Sequence, residues 1–506
     1  MNVIRKYKTT MVMLGLFALN MTVWGQEQML SFEEAMQMML EQNPALLQQK
    51  EEIRQREFEI KSKRGLHMPI VSVNAQAVTM SDPLHLDLTP VGDAIAPLYT
   101  TLGNYGVFSG VANPDPSTSD AMPVLTDEMS TAAVRQELLE AGQVVENSEW
   151  DQTIQEKFFA VVSAGFVWPL YTGGKIKGAN QAADVQHNIS KEALRHTQGM
   201  LLAELVTRYY GLALGMQVVK LRDKMLKSME NHYSDAKKLF DNGMIAKVEL
   251  LHAEVAKNEA ERELKKATRN VKILRTGLKA TLANDSLHQV IPASNLFINK
   301  EITGLEAWIE KAKAFNPQLM QIHGKKELVE IKHRVEKNEY LPTLAALGNY
   351  NIADKDLSPY VPEWLVGVGL KWTLFEGAQR KNNIRASKTM YNQVAYAEQK
   401  ANDDLEAYLV KLFHELQMQM EQKTELETTL ALANEYCSST EKAFIEGFAN
   451  STTVVEAHTK VLQAKTKRLK VLYDYDVTLV YFLQTVGMAD RFPDFSKGGN
   501  VITETL

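Results

Sequence analysis

From Gly173 to Gly243, and again from Gly377 to Gly447, the chain runs about 70 residues without a proline, in sequence rich in Ala, Leu, Glu and Lys. At 1.5 Å rise per residue a helix filling either tract would be about 105 Å long. That is far beyond a globular helix, so each tract reads as coiled coil and needs a packing partner along its whole length. After each closing glycine a helix-forming stretch of about 40 residues runs back, Gly243 to Ala283 and Gly447 to Gly487, and about 22 residues from Pro44 to Leu66 form an earlier helix. Stacked end to end, the two shorter helices nearly match the long one. The predicted unit is therefore one long helix paired antiparallel with two shorter ones.

The unit occurs twice. Asn43-Pro44 lies on Asn316-Pro317 at an offset of 273, which also sets Pro69 on Pro342. Gly165-Phe-Val-Trp168-Pro-Leu-Tyr171-Thr-Gly173 lies on Gly369-Leu-Lys-Trp372-Thr-Leu-Phe375-Glu-Gly377 at an offset of 204. That second offset holds for over a hundred residues, through Val206/Val410, Tyr209/Phe413, Phe240/Phe444, Gly243/Gly447 and Ala253/Ala457. Sustained register of this kind marks an internal repeat. The 69-residue change of offset places an insert at roughly 81–150 in the first copy, where Pro83, Pro90, Pro97, Pro114, Pro116 and Pro123 predict irregular loop and Leu125 to Asn147 a helix.

Within each copy Asn43 and Asn316 are good helix N-caps, and Pro44 and Pro317 sit where a missing N–H does no harm. Alternating segments after Pro69 and Pro342 predict strands at about 70–80 and 343–352, with partner strands at about 160–171 and 364–375. The expected organisation is a first repeat over 26–283 with helices at 44–66, 174–242 and 244–283. A joining segment follows at 284–303. The second repeat spans 304–487, with helices at 317–338, 378–446 and 448–487, and a tail covers 488–506. The fold class is mainly α with a small β part, four strands per chain. Four strands cannot close a barrel, since the smallest membrane barrels have about eight, so association with further copies is expected.

Arg5, Lys6 and Lys8 followed by the apolar run Met11 to Val23 predict a signal peptide over 1–25. Past it no stretch stays apolar long enough for a transmembrane helix, so any membrane crossing must use strands in a closed barrel. Without the signal, 53 basic side chains face 62 acidic ones, a formal charge of −9 that argues against nucleic acid. A single cysteine, Cys437, excludes an intrachain disulfide, and no Cys-based metal cluster is expected. The eleven histidines show no metal-ligand spacing, and no phosphate loop, nucleophile elbow or dinucleotide fingerprint is present. No catalytic residue, cofactor or metal ligand is therefore expected, and the chain does not read as an enzyme.

The opening Leu30-Ser-Phe-Glu-Glu-Ala35 with Asn43-Pro44, the strand end Trp168-Pro-Leu-Tyr-Thr-Gly-Gly174, the segments Gly243 to Ala253 and Gly447 to Ala457, and the tail Tyr481 to Gly487 together resemble the TolC-like outer-membrane efflux and secretion channels. The resemblance spans about residues 30–487. It implies a homotrimer whose twelve-strand barrel sits in outer-membrane lipid and continues into a periplasmic helical tunnel. The turns at Gly243 and Gly447 would form the periplasmic tip that docks an adaptor protein of a proton-driven or ATP-driven inner-membrane pump.

By position after the turns, Glu456 would be the pore-constriction acid and Glu249 an acid linking neighbouring helix pairs. Trp168, Tyr171, Trp372 and Phe375 would lie in the barrel's aromatic belt. The chain departs from the family pattern at Glu456 (more usually Asp), Phe444 (often Tyr), Ala449 (often Arg), and at Ala246 and Asn450, where a turn hydroxyl is usual. The alternative reading is a periplasmic or surface coiled-coil protein without a pore. Drugs, metal ions and polypeptides stay open as cargo.

Overall fold

The computed structural model describes residues 28–284, 289–300, 302–497 and 501–503, so the signal segment expected at 1–25 lies outside the described residues. In the first copy strand β1 (Gln28–Leu30) leads into helices α1 (Phe32–Gln42) and α2 (Pro44–Arg64) and strand β2 (Ile70–Thr79). The insert holds β3 (Leu84–Asp87), α3 (Thr89–Tyr105), α4 (Asp127–Asn147) and β4 (Asp151–Gln155). Strand β5 (Phe158–Tyr171) then feeds the long helix α5 (Lys175–Asp241), which returns as α6 (Lys247–Leu282). Short strands β6 (Val290–Pro292) and β7 (Phe297–Asn299) lead to the second copy. It comprises α7 (Leu305–Phe315), α8 (Pro317–Asn338), β8 (Thr343–Lys355), β9 (Trp364–Lys371), α9 (Gln379–Ile445) and α10 (Ser451–Val486), followed by β10 (Val501–Thr503).

The duplication is visible residue by residue. Helices α5 and α9 are each 67 residues long and α6 and α10 each 36, and both pairs stay in register at the 204 offset from first residue to last. Both α1/α7 and α2/α8 start at the 273 offset. The same hydrogen bond recurs in each copy: Asn43 Nδ2 donates to Thr281 O at 2.9 Å, and Asn316 Nδ2 to Thr485 O at 2.8 Å. Each Asn oxygen meanwhile accepts from the first turn of the helix it precedes, Asn43 from Ala45 N and Asn316 from Gln318 N and Leu319 N. One side chain thus caps a helix start and satisfies a carbonyl at the end of another helix, groups that helix geometry leaves unpaired.

The chain divides into a helical unit and a unit made of the four-stranded sheet and the insert. In the helical unit α5 packs against α6 and α2, and α9 against α10 and α8, as the length argument predicts; α5 also packs against α8 and α10, joining the copies. An aromatic core holds the joint, with Phe32, Tyr209, Tyr210, Phe297 and Phe492 in mutual ring contact. Tyr209 is wholly buried, and its hydroxyl donates to Leu30 O at 2.6 Å while accepting from the amides of Ala293 and Ser294. No helix among the described residues is long and apolar enough to cross a membrane.

In the other unit the sheet order is β2-β5-β8-β9, antiparallel throughout, and among the described residues β2 and β9 each leave one edge unpaired. The register sorts the side chains. One face carries Val71, Phe166 and Val366, then Val73, Ala164, Tyr350 and Trp364, and beyond them Trp168, Ala346 and Val368. The irregularity between Pro169 and Tyr171 pairs Tyr171 with Leu344 and so turns it to this apolar face as well. The opposite face carries Ser72, Asn74, Gln76, Ser163, Asn349 and Asn351, with Leu347 and Leu365 among them. Val71, Val368 and Trp364 are about two-thirds exposed or more, so within one chain the apolar face has no cover.

Three expectations change. Helices α1 and α7 precede the Asn-Pro pairs, and Ser31 opens α1 with a reciprocal cap in which Glu34 accepts from Ser31 N. The insert is more ordered than its prolines suggest: α4 starts after Thr126 as expected, but α3 contains Pro97, and β3 pairs with β4. Strand β9 stops at Lys371 rather than 375, because Lys371 pairs with Thr343, the first residue of β8, and the ladder has no partner beyond it.

Candidate functional site

Both hairpins of the helical unit turn on a glycine with the same backbone bonds. Gly243 (φ +73°) donates to Phe240 O and Met244 to Leu239 O; Gly447 (φ +81°) donates to Phe444 O and Phe448 to Ala443 O. Both carbonyl pairs belong to a helix end, and the left-handed conformation that reaches them favours glycine. Met244 and Phe448 are left exposed beside the turns. Asn450 caps α10 by accepting from Thr453 N at 2.9 Å, whereas Ala246 at the matching position of α6 offers no side-chain cap.

The two tips pack on each other. Ala236, Ala253, Phe444 and Val454 form a buried cluster drawn from both copies, with Ala449 against it. The Phe444 ring meets His232 at 4.7 Å between ring centres, tilted by 59°. Ser451, fully buried at the start of α10, is the polar centre. Its amide donates to Glu249 Oε2 at 2.8 Å, and its hydroxyl lies 2.8 Å from His232 Nε2 and 3.4 Å from His252 Nδ1. Glu249 therefore sits at the positive end of α10, where a carboxylate is favoured. This is a link between the two helix pairs of one chain.

Glu456, in the second turn of α10, is exposed and makes no contact with Glu249 among the described bonds. Trp168 lies in β5 and Tyr171 ends it, while Trp372 and Phe375 lie past the end of β9. The two indoles make equivalent bonds, Trp168 Nε1 to His67 O at 3.0 Å and Trp372 Nε1 to Tyr340 O at 2.9 Å, each pinning the segment before a strand-opening proline. Sequence reasoning overlooked the groups around Ser451, since His232 and Ser451 come from different copies. It also named no metal ligand, yet Cys437, Glu441 and His458 converge between α9 and α10. Their near-equal distances from Gly447, ten residues before it and eleven after for Cys437 and His458, were the available signal.

Burial holds His232 neutral, down to about 4, aided by nearby His458 and His252 and opposed by Asp235 and Glu249. A base whose folded value is depressed stabilises the fold above its unfolded value, and that stability is lost as pH falls from about 6.5 through about 4. Acidification from pH 7 to 4 should therefore cost the tip on the order of 3 kcal/mol. The protection factors of amides in the first turns of α10, which allow for the fall of intrinsic exchange with pH, should drop across that range in the wild type and much less in His232→Gln. An equal response in both proteins would remove His232 as the cause.

Residues 132–284 and 308–487, well over half of the chain, match the outer membrane efflux protein family. No curated protein matches the chain in sequence. Among solved structures, CusC aligns with a TM-score of 0.68 at 10% identity, over 90% of this chain and 91% of that one. The Campylobacter jejuni CmeC outer membrane channel aligns with a TM-score of 0.66 at 12% identity, over 92% and 89%. The Vibrio cholerae outer membrane protein VceC gives 0.65 at 11% identity, over 90% and 96%. At such identities these structures speak to the fold, which they share across nearly the whole chain. The duplicated helix pairs, the four-stranded sheet and the family match agree: this chain belongs to the outer membrane efflux protein family, and is an outer-membrane protein.

Proposed function

We propose that three copies close a twelve-strand barrel in the outer membrane and a helical tunnel, forming a passive outlet for cargo delivered by a pump in the inner membrane. The observation that carries this is the sheet. Four antiparallel strands with two open edges and one uncovered apolar face are unsuited to water, whereas three such sheets joined edge to edge leave no edge and turn the apolar face to lipid. Trp168, Tyr171, Trp372 and Phe375 are then the belt at one membrane boundary.

In this reading the turns at Gly243 and Gly447 meet a periplasmic adaptor, Glu249 ties neighbouring helix pairs through Ser451, and Glu456 lines the narrowest part of the tunnel. Three carboxylates around an axis would favour cations. Chemistry is assigned to no residue, and energy comes from the pump, whether proton-driven or ATP-driven.

The test is conductance in planar bilayers. The purified protein should form channels blocked from the tip side by multivalent cations, and Glu456→Gln should weaken that block about tenfold or more with little change in open conductance. Unchanged block would take Glu456 out of the constriction, and the absence of any channel would favour the non-pore coiled-coil alternative. A cysteine placed beside Gly243 or Gly447 for crosslinking in cells should capture the adaptor; recovery of the channel alone would count against docking at the turns.

A further inference from the structure

We propose that Cys437, Glu441 and His458 form a zinc site that staples α9 to α10 above the second tip turn. Cys437 and Glu441 are four residues apart and so share one face of α9, while His458 faces them from α10. One ligand atom from each lies within 4.8 Å of the other two, and His458 Nε2 is already 2.8 Å from Glu441 Oε1. Zinc bonds of about 2.0–2.3 Å in a tetrahedron set ligand atoms about 3.3–3.8 Å apart. Side-chain rotations that part the Glu441 and His458 atoms by about 0.5 Å and bring the three ligand atoms, now within 4.8 Å of one another, to that spacing would complete three protein positions and leave the fourth for water.

The donor set selects the metal. A thiolate with an imidazole and a carboxylate suits zinc, whereas magnesium and calcium take oxygen alone. Cys437 and His458 are largely buried, and Glu441 is exposed and opens the group to solvent, giving an ion a path in. As the Zn–S bond forms, the thiol proton of Cys437 would leave to solvent. His232 and His252 lie close by but face Ser451, and they are the competing ligands to exclude.

The experiment uses the full-length protein in detergent, titrated with zinc against a chromophoric chelator and separately with cobalt. One zinc per chain, with proton release, and a thiolate-to-cobalt charge-transfer band are expected. Cys437→Ser should abolish the band, and Cys437→Ser and His458→Gln should each lower zinc affinity by at least about 100-fold, as the loss of a direct ligand requires. His232→Gln should leave affinity unchanged. Oligomer retention by each variant, read by size-exclusion chromatography, separates ligand loss from misfolding. Cobalt binding without the charge-transfer band, or zinc affinity that survives Cys437→Ser and falls with His232→Gln, would overturn the assignment.

Discussion

Val366→Arg should eliminate the assembled protein from the outer membrane, whereas Asn74→Arg should leave it in place. Val366 is paired in one row with Gly348, Phe166 and Val71 on the apolar face, between the row of Trp364 and Tyr350 and that of Trp168 and Val368. Val366 is two residues, about 7 Å along the tilted strand, from the Val368–Trp168 row at the membrane boundary, so it falls inside the apolar band. An arginine on the lipid face costs up to about 2–4 kcal/mol per copy, least near the boundaries, and three copies in one barrel multiply the penalty. Asn74 is on the opposite face with Ser163 and Asn351, where an added charge meets water.

The readout is the heat-resistant oligomer in outer-membrane fractions. Loss in Val366→Arg with retention in Asn74→Arg is expected. The reverse pattern would put the polar face against lipid and invert the barrel.

How far the sequence discloses these features depends on where each one is encoded. The long helices are legible because two Asn-Pro starts, two glycine ends and proline-free tracts punctuate them locally, and the repeat reads each signal twice. Helix α3 is illegible for the opposite reason. Its glycines and its internal Pro97 argue against a helix, yet a Cβ at Gly92 would meet the Trp150 ring at 2.6 Å and one at Gly103 would meet Leu139 at 2.7 Å. Those glycines serve close packing against neighbours distant in sequence, which local propensity does not register.

The tip divides similarly. Glycine turns are written in adjacent residues, while the Ser451 centre joins partners some 200 positions apart. Repeat alignment finds equivalent positions, not contacts between copies. Cys437 and His458 were within reach, since folding the chain back at Gly447 sets them opposite each other.

Gly487→Ala should destabilise the fold by several kcal/mol, far more than Gly447→Ala, although both glycines have nearly the same left-handed backbone, φ +83° and +81°. That conformation costs a residue with a Cβ about 1–2 kcal/mol. At Gly447 nothing lies within 4 Å of the added carbon, so the conformational cost is the whole effect. At Gly487 the new carbon would sit 2.3 Å from Phe315 O and 2.8 Å from Phe315 C, which are backbone atoms that cannot rotate away. Relief would have to shift the α7–α8 junction, where Asn316 holds Thr485 O and Arg195 reaches Phe315 O and Gly487 O. The first copy supports the distinction: its matching residue, Ala283, is left-handed at φ +51° and still carries a Cβ. Thermal denaturation of the two variants side by side should show a small shift for Gly447→Ala and a large one for Gly487→Ala. Equal shifts would mean that backbone conformation alone, and not the approach of the Phe315 carbonyl, selects glycine at 487.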